Sequence, residues 1–302
     1  MIRSLFVALV AVTFTSGALA QNCTVPNNLT NGTNADATQV MANFNALLAC
    51  VNNLNNQNVA RGYLSGLTLS TPGGSSGFAV TQGVAVSSDN TTSMQLSVAS
   101  SKTSASWAAG SGNGALDSGS IANNTWYHVH LIKRPDTGVV DVLISLSATA
   151  PVMPTAHTLF RRIGSLKTDG SAHFLGFTQT GDTFIWTVGV RDINNLNIGT
   201  TATDLTLPSV PSGVVVGALG NAFVFASGAG TGANFYPKSV TDQATAYGTF
   251  MNVRDPSSGI GNVGLLKVLT NTSQTIRARG QTAGAIVDWS TVGWTDDRGK
   301  LN

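Results

Sequence analysis

Two imidazoles alternate along one strand-like run, Trp126-Tyr127-His128-Val129-His130-Leu131-Ile132-Lys133, and Asp141 falls diagonally across the hairpin that follows. Two histidines and a carboxylate from two strands would suffice to hold zinc. An HxH beside one acid also arises easily by chance, and a polar pair facing solvent or another subunit accounts for it, so no metal site is assigned. His157 and His173 stand alone. Polysaccharide cleavage needs two carboxyls at a defined separation. The chain has 14 acidic residues and every one is aspartate. The candidates Asp136, Asp141, Asp169 and Asp182 sit mostly in turn sequence, where a carboxylate caps backbone amides. No nucleophile elbow, phosphate-binding glycine loop or paired CxxC motif is present, so the reading is non-enzymatic and without cofactor.

Flat aromatic rings beside amides and hydroxyls are what sugars bind, and Trp107, Trp126, Tyr127, Trp186, Trp289 and Trp294 lie in a chain rich in Asn, Ser and Thr. Tryptophans in β-sandwiches also serve as core. Four residues stand as ligand-contact candidates: Trp126, His128 and His130 on one hairpin face, and Trp294 as an edge anchor near the end of the chain.

The hairpin that positions them is the firmest local expectation. Pro135-Asp136-Thr137-Gly138 supplies turn chemistry between two apolar runs. Pairing Arg134 with Val139 places Leu131 opposite Val142, Val129 opposite Ile144 and Tyr127 opposite Leu146, which makes one face wholly apolar. The other face sets Trp126, His128, His130 and Ile132 opposite Ser147, Ser145, Leu143 and Asp141, a mixed surface open to solvent, subunit or ligand.

Around the hairpin run short, Gly-punctuated strands: Gly62 to Ser70, Phe78 to Val80, Gly83 to Val86, Met94 to Val98, Leu159 to Leu166, and a second hairpin across Thr180-Gly181-Asp182. More follow beyond Pro208 and Pro211, at Val214–Val216, Ala222–Phe225, Gly248–Arg254, Leu265–Leu269, Gln274–Arg279 and Ala285–Trp289. The expected fold is mainly β, an N-terminal amphipathic or coiled-coil helix followed by antiparallel, jelly-roll-like β-sandwich domains. The expected divisions are a leader at 1–20, a helical neck at 21–59, a sandwich at 60–198 and a C-terminal β domain at 199–302.

The neck is predicted from Leu29 to Asn58. With Phe44 at heptad position a, Ala37 and Val51 share that position, Val40, Leu47 and Leu54 fall at d, and Met41 and Leu48 widen the stripe. Thr33 is the expected N-cap, with Asp36 three residues on. Val40, Phe44, Leu47, Val51 and Leu54 are the oligomerisation candidates; packing of the helix on its own body is the alternative. Cys23 and Cys50 are the only cysteines. The extended chain after Cys23 is long enough to run back along the helix, so an intrachain disulfide is feasible and an interchain one is the runner-up.

Met1 to Ala20 carries a basic start, an apolar core and a small-residue ending, the pattern of a cleaved secretory leader. The mature chain is then exported, with no membrane insertion. The formal net charge of +2, spread among the strands, offers no case for nucleic acid.

The run LTNGTNADATQVMANFNALL resembles a segment recurrent in phage and prophage tail-fibre proteins, where it precedes a trimeric distal part. GSGNGALDSGSIANNTWYHVHLIKRPDTGVVDVLISLSATAPVMPTAHTLFRRIGSLKTDGS resembles the common core of uncharacterised tail-associated proteins of alphaproteobacterial phages and prophages. The resemblance implies a homotrimeric fibre in a virion-associated setting and identifies no ligand; the first expectation is an exported fibre-like protein that recognises a cell-surface glycan or protein. The leader departs from that pattern, since tail fibres assemble inside the host, and it admits a secreted host adhesin. A polysaccharide depolymerase on the same scaffold, or a ligand-free structural component, are the alternatives.

Overall fold

The computed structural model describes residues 23–30, 32, 36–57, 60–225, 232–242, 251–255 and 261–300. Two compact units divide at Asn58.

The first unit is built on helix α1, Ala37–Gln57. It begins where Asp36 Oδ1 accepts the Thr38 amide at 2.8 Å, an N-cap that satisfies one free donor of the first turn. Thr33, the expected cap, lies outside the described residues. The preceding chain runs back along the helix as its length predicts. Asn27 N donates to Asn43 Oδ1 at 2.9 Å and Asn43 Nδ2 donates back to Asn27 O at 2.8 Å. Cys23 and Cys50 close this return as an intrachain disulfide, their Cα atoms 5.7 Å apart. Of the stripe, Phe44 is 63% exposed and Met41, Leu47, Leu48 and Val51 are exposed with it, while Val40 is half-buried. The Leu54 side chain lies outside the described residues.

The second unit is a β body. Its strands are β1 Leu64–Gly66, β2 Leu69–Ser70, β3 Gly77–Val80, β4 Gly83–Val86, β5 Ser93–Leu96, β6 Ser100–Ser106, β7 Gly114–Leu116, β8 Trp126–Lys133, β9 Val140–Ser145 and β10 Leu159–Lys167. They continue with β11 Phe177–Thr180, β12 Thr183–Ile198, β13 Thr203–Thr206, β14 Gly217–Phe225, β15 Gly232–Pro237, β16 Met251–Arg254, β17 Asn262–Leu269, β18 Thr275–Gly280 and β19 Ala285–Thr295. Among the described residues they form a seven-stranded sheet, β10-β8-β9-β7-β6-β3-β2, a five-stranded sheet, β11-β12-β19-β14-β17, a four-stranded sheet, β13-β18-β15-β16, and a three-stranded sheet, β1-β4-β5. The chain is therefore mainly β, as expected. Pairing is antiparallel except at β7, a three-residue strand lying parallel to both β6 and β9.

The predicted hairpin forms in the predicted register: Leu131 faces Val142, Val129 faces Ile144, His128 faces Ser145, His130 faces Leu143 and Ile132 faces Asp141. Arg134 N donates to Val139 O at 2.9 Å and closes it. The ladder ends at Ser145, short of the expected Tyr127–Leu146 pair, and Leu146 is 64% exposed. The second hairpin also forms, with Thr180 facing Thr183.

One aromatic cluster joins the sheets. Trp294 of β19 stacks on Phe184 of β12, with centroids 4.9 Å apart and planes at 4°, and meets Trp126 of β8 edge-on at 5.4 Å and Trp186 at 4.9 Å. Trp289 packs under β14 where Gly220 leaves room, since a Cβ there would fall 2.4 Å from the indole. Gly199, the expected domain boundary, follows the last residue of β12, which pairs with β19 from Thr183–Thr295 to Ile198–Ala285.

Candidate ligand-binding cleft

The four predicted contact residues are all core. Trp126 is 6% exposed, His128 1%, His130 0% and Trp294 0%. The mixed hairpin face expected to meet solvent, subunit or ligand is covered, and each imidazole bonds inward through one nitrogen, while His130 Nδ1 is buried with no partner among the described residues. His128 Nδ1 lies 3.0 Å from Ser165 Oγ, and His130 Nε2 lies 3.0 Å from the Ser147 carbonyl. Burial, with the charge of Arg162, pushes the His128 pKa down to about 3; burial alone is the main cause that takes His130 to about 4. Both rings are neutral near pH 7. Trp126 and Trp186 direct their indole N–H groups to the carbonyls of Pro208 and Ser209, at 2.9 and 3.0 Å. These tryptophans anchor packing and leave no ring face for a sugar.

Asp141, the third residue of the zinc set, points elsewhere. It forms a buried ion pair with Lys102 of β6, Nζ to Oδ1 at 2.9 Å, and accepts the Gly110 amide at 2.9 Å and the Val142 amide at 2.7 Å. Among the described residues no group of three His, Cys, Asp or Glu side chains gathers to bind a metal.

That ion pair builds a different site. The remaining donors of Lys102 go to the carbonyls of Ala108 and Gly110, each at 2.9 Å, so a 1% exposed lysine pins the loop between β6 and β7 from beneath. The loop presents Trp107. Its indole meets His157 edge-on at 5.2 Å, and Lys102 Nζ lies 5.7 Å from the ring centroid. Trp107 Nε1 is buried and, among the described residues, has no hydrogen-bond partner. His157 directs Nδ1 at the Thr155 carbonyl, 3.1 Å away, which leaves Nε2 as its acceptor. Asp117 accepts the Val152 amide at 2.9 Å and fixes the opposite wall.

The resulting cleft holds about 710 Å³, with Arg134, Thr137 and Met153 also on its rim. Its size is that of small-ligand sites. Comparison of the chain with protein-family profiles, curated proteins and solved structures finds no match. The reading of the cleft therefore rests on its geometry: one aromatic ring, an imidazole at its edge and the Asp117 carboxylate, the groups that meet sugar rings and hydroxyls. It has no free pair of acids for hydrolysis, because the Asp141 oxygens are held by Lys102 and two amides.

Sequence reasoning named Trp107 among the aromatics but did not single it out. Lys102 was missed. The available signal was a lone lysine in the serine-rich run Ser100-Ser101-Lys102-Thr103-Ser104, which has no apolar alternation to identify a strand.

Proposed function

We propose that this protein is an exported, fibre-like, non-enzymatic recognition protein, trimerised through α1, whose β body binds a cell-surface glycan or protein. The observation that carries the assembly is the exposed apolar stripe on α1: Met41, Phe44, Leu47, Leu48 and Val51 are each at least 40% exposed in the single chain. Covering the exposed part of each side chain is worth about 1 kcal/mol. No charged residue occurs between Ala37 and Gln57, so nothing on the helix repels an identical copy. At 21 residues α1 makes a short bundle of about three heptads and not a long coiled coil. The resemblance to tail-fibre proteins favours three strands.

Export is supported by the Cys23–Cys50 disulfide, a bond that persists in oxidising compartments. Among the described residues no helix is long and apolar enough to cross a membrane; the expected leader, 1–20, lies outside them. A jelly-roll-like sandwich remains our reading of the body, supported by the aromatic cluster that the seven- and five-stranded sheets share. Recognition is assigned to the Trp107 cleft. Three copies of a shallow site on one particle raise avidity by effective concentration without new contacts.

The test is binding of the folded mature chain to bacterial surfaces and to a glycan array. Binding that disappears in Trp107→Ala supports the reading. A folded trimer that binds none of them removes the recognition role.

A further inference from the structure

A second cleft, of about 780 Å³, opens beside the edge strand β10, and its lining is cationic. Arg161, Arg162, Lys267 and Arg298 line it, with Asp297 as the one carboxylate on its wall. Two of the arginines are already matched. Arg162 holds Asp296 with two hydrogen bonds, and Arg298 shares Asp182 with Lys300. Counting those partners, five cationic side chains face three carboxylates.

Arg161 is the unmatched one. It is 5% exposed, yet among the described residues its one hydrogen bond is a long contact from Nη2 to the Gly62 carbonyl at 3.4 Å, and Nε has no partner. Among the described residues it has no carboxylate within ion-pair distance; Asp297 lies near but spends Oδ1 on the Gly299 amide at 2.8 Å. Burial, together with the charges of Arg162 and Arg298, works against its ionisation, and an arginine does not escape by losing its proton. A buried guanidinium with idle donors costs free energy until an anion meets it. Among the described residues Lys267 also lacks an ion-pair partner. Its stem lies over Gly217 and beside Thr295, because a Cβ on Gly217 would fall 2.5 Å from Lys267 Cε and from Thr295 Oγ1. A residue larger than glycine would displace the lysine from the cleft wall.

We infer that this cleft binds an acidic saccharide, its oxyanion seated on Arg161 with Lys267 as the second charge, and its hydroxyls met by Asn90, Thr149 and Thr272. The planar fork of arginine fits a carboxylate, sulfate or phosphate bidentately. The saccharide half rests on the recognition role proposed above; the oxyanion half rests on Arg161 alone.

The experiment uses the full mature chain and isothermal titration with oligogalacturonate, a sulfated disaccharide and inorganic phosphate, in low and high salt. Arg161→Lys keeps the charge but removes the fork, and Lys267→Gln changes an exposed side chain that folding does not need. The expected result is salt-sensitive binding of an acidic saccharide, weakened about tenfold or more by either substitution. Preference between the carboxylated and sulfated probes identifies the oxyanion. Phosphate binding without binding of either saccharide overturns the saccharide half while the Arg161 site stands; the glycan reading of the separate Trp107 cleft falls only if the array binding lost in Trp107→Ala is also absent. No binding of any probe, or binding that neither substitution weakens, overturns the site.

Discussion

Arg162 and Asp296 meet through two parallel hydrogen bonds, Nη1 to Oδ2 at 2.6 Å and Nη2 to Oδ1 at 2.7 Å, with the carboxylate side chain wholly buried. The pair fastens β10 of the seven-stranded sheet to the segment that follows β19, residues 134 positions apart in sequence. Burial pushes the Asp296 pKa up, but the hydrogen bonds and charge of Arg162 outweigh it and hold the carboxyl below its ordinary value. Arg162→Met is expected to destabilise the body by about 3–5 kcal/mol, since it strands a buried charge. Urea unfolding measures the loss. Asp296→Leu added to it restores part of the stability, and a double variant no better than the single would show that the charge is not what costs.

His128 and His130 make the fold acid-sensitive. Their folded pKa values of about 3 and about 4 lie below the unfolded value of 6.5. Between about pH 4 and 6.5 the unfolded chain therefore binds protons that the folded chain refuses, and stability falls as pH falls, by up to about 1.4 kcal/mol per pH unit for each ring. Asp296, with its lowered pKa, loses its contribution at lower pH still, in the same direction. Thermal unfolding from pH 7.5 to 4 should show the decline beginning near pH 6.5. His128→Gln should shallow it; a profile flat to pH 5 would contradict the assignment.

The Lys102–Asp141 pair is expected to govern Trp107. Lys102→Met leaves Asp141 buried without its cation and frees the carbonyls of Ala108 and Gly110. Stability should drop by about 3–5 kcal/mol, and iodide quenching of indole fluorescence should rise as the loop carrying Trp107 loosens. Unchanged quenching in a folded variant would separate the ion pair from the cleft.

Reduction should melt the helical unit. The Cys23–Cys50 bridge spans a separation of 27 residues, and by loop entropy such a closure contributes about 3–4 kcal/mol. Reductant, or Cys23→Ser with Cys50→Ser, is expected to lower helical circular dichroism near 222 nm. A helix signal indifferent to both would mean that packing between chains suffices.

The parts legible in sequence were those where pattern and turn agreed. The hairpin at Pro135–Gly138 had strong turn chemistry between β-branched runs, and its register was derivable to the residue. Length allowed the return of the chain from Cys23 but did not choose it over an interchain bridge. Strand β6 was not legible, because its inward positions are Ser100, Lys102 and Ser104, buried through an ion pair and hydrogen bonds where alternation would demand apolar side chains. For the same reason the Trp107 loop, which that lysine holds, had no marker. The face of His128 and His130 read as exposed because both are polar. What meets it comes from distant sequence: Phe160 packs edge-on against His130, Gly213 lies against the His128 ring and Trp294 meets Trp126, and such long-range cover leaves no local trace. Strand β15, Gly232–Pro237, begins with glycine and ends with proline, and its composition reads as loop.

The central claim is a trimer joined through α1. Light scattering on a sizing column gives the solution mass of the mature chain from Gln21 to Asn302 directly. The account predicts three chains per particle, with or without reductant because the disulfide is intrachain, and loss of the trimer when Phe44 and Leu47 are replaced by Asp. A monomeric mass for the unsubstituted chain would contradict it.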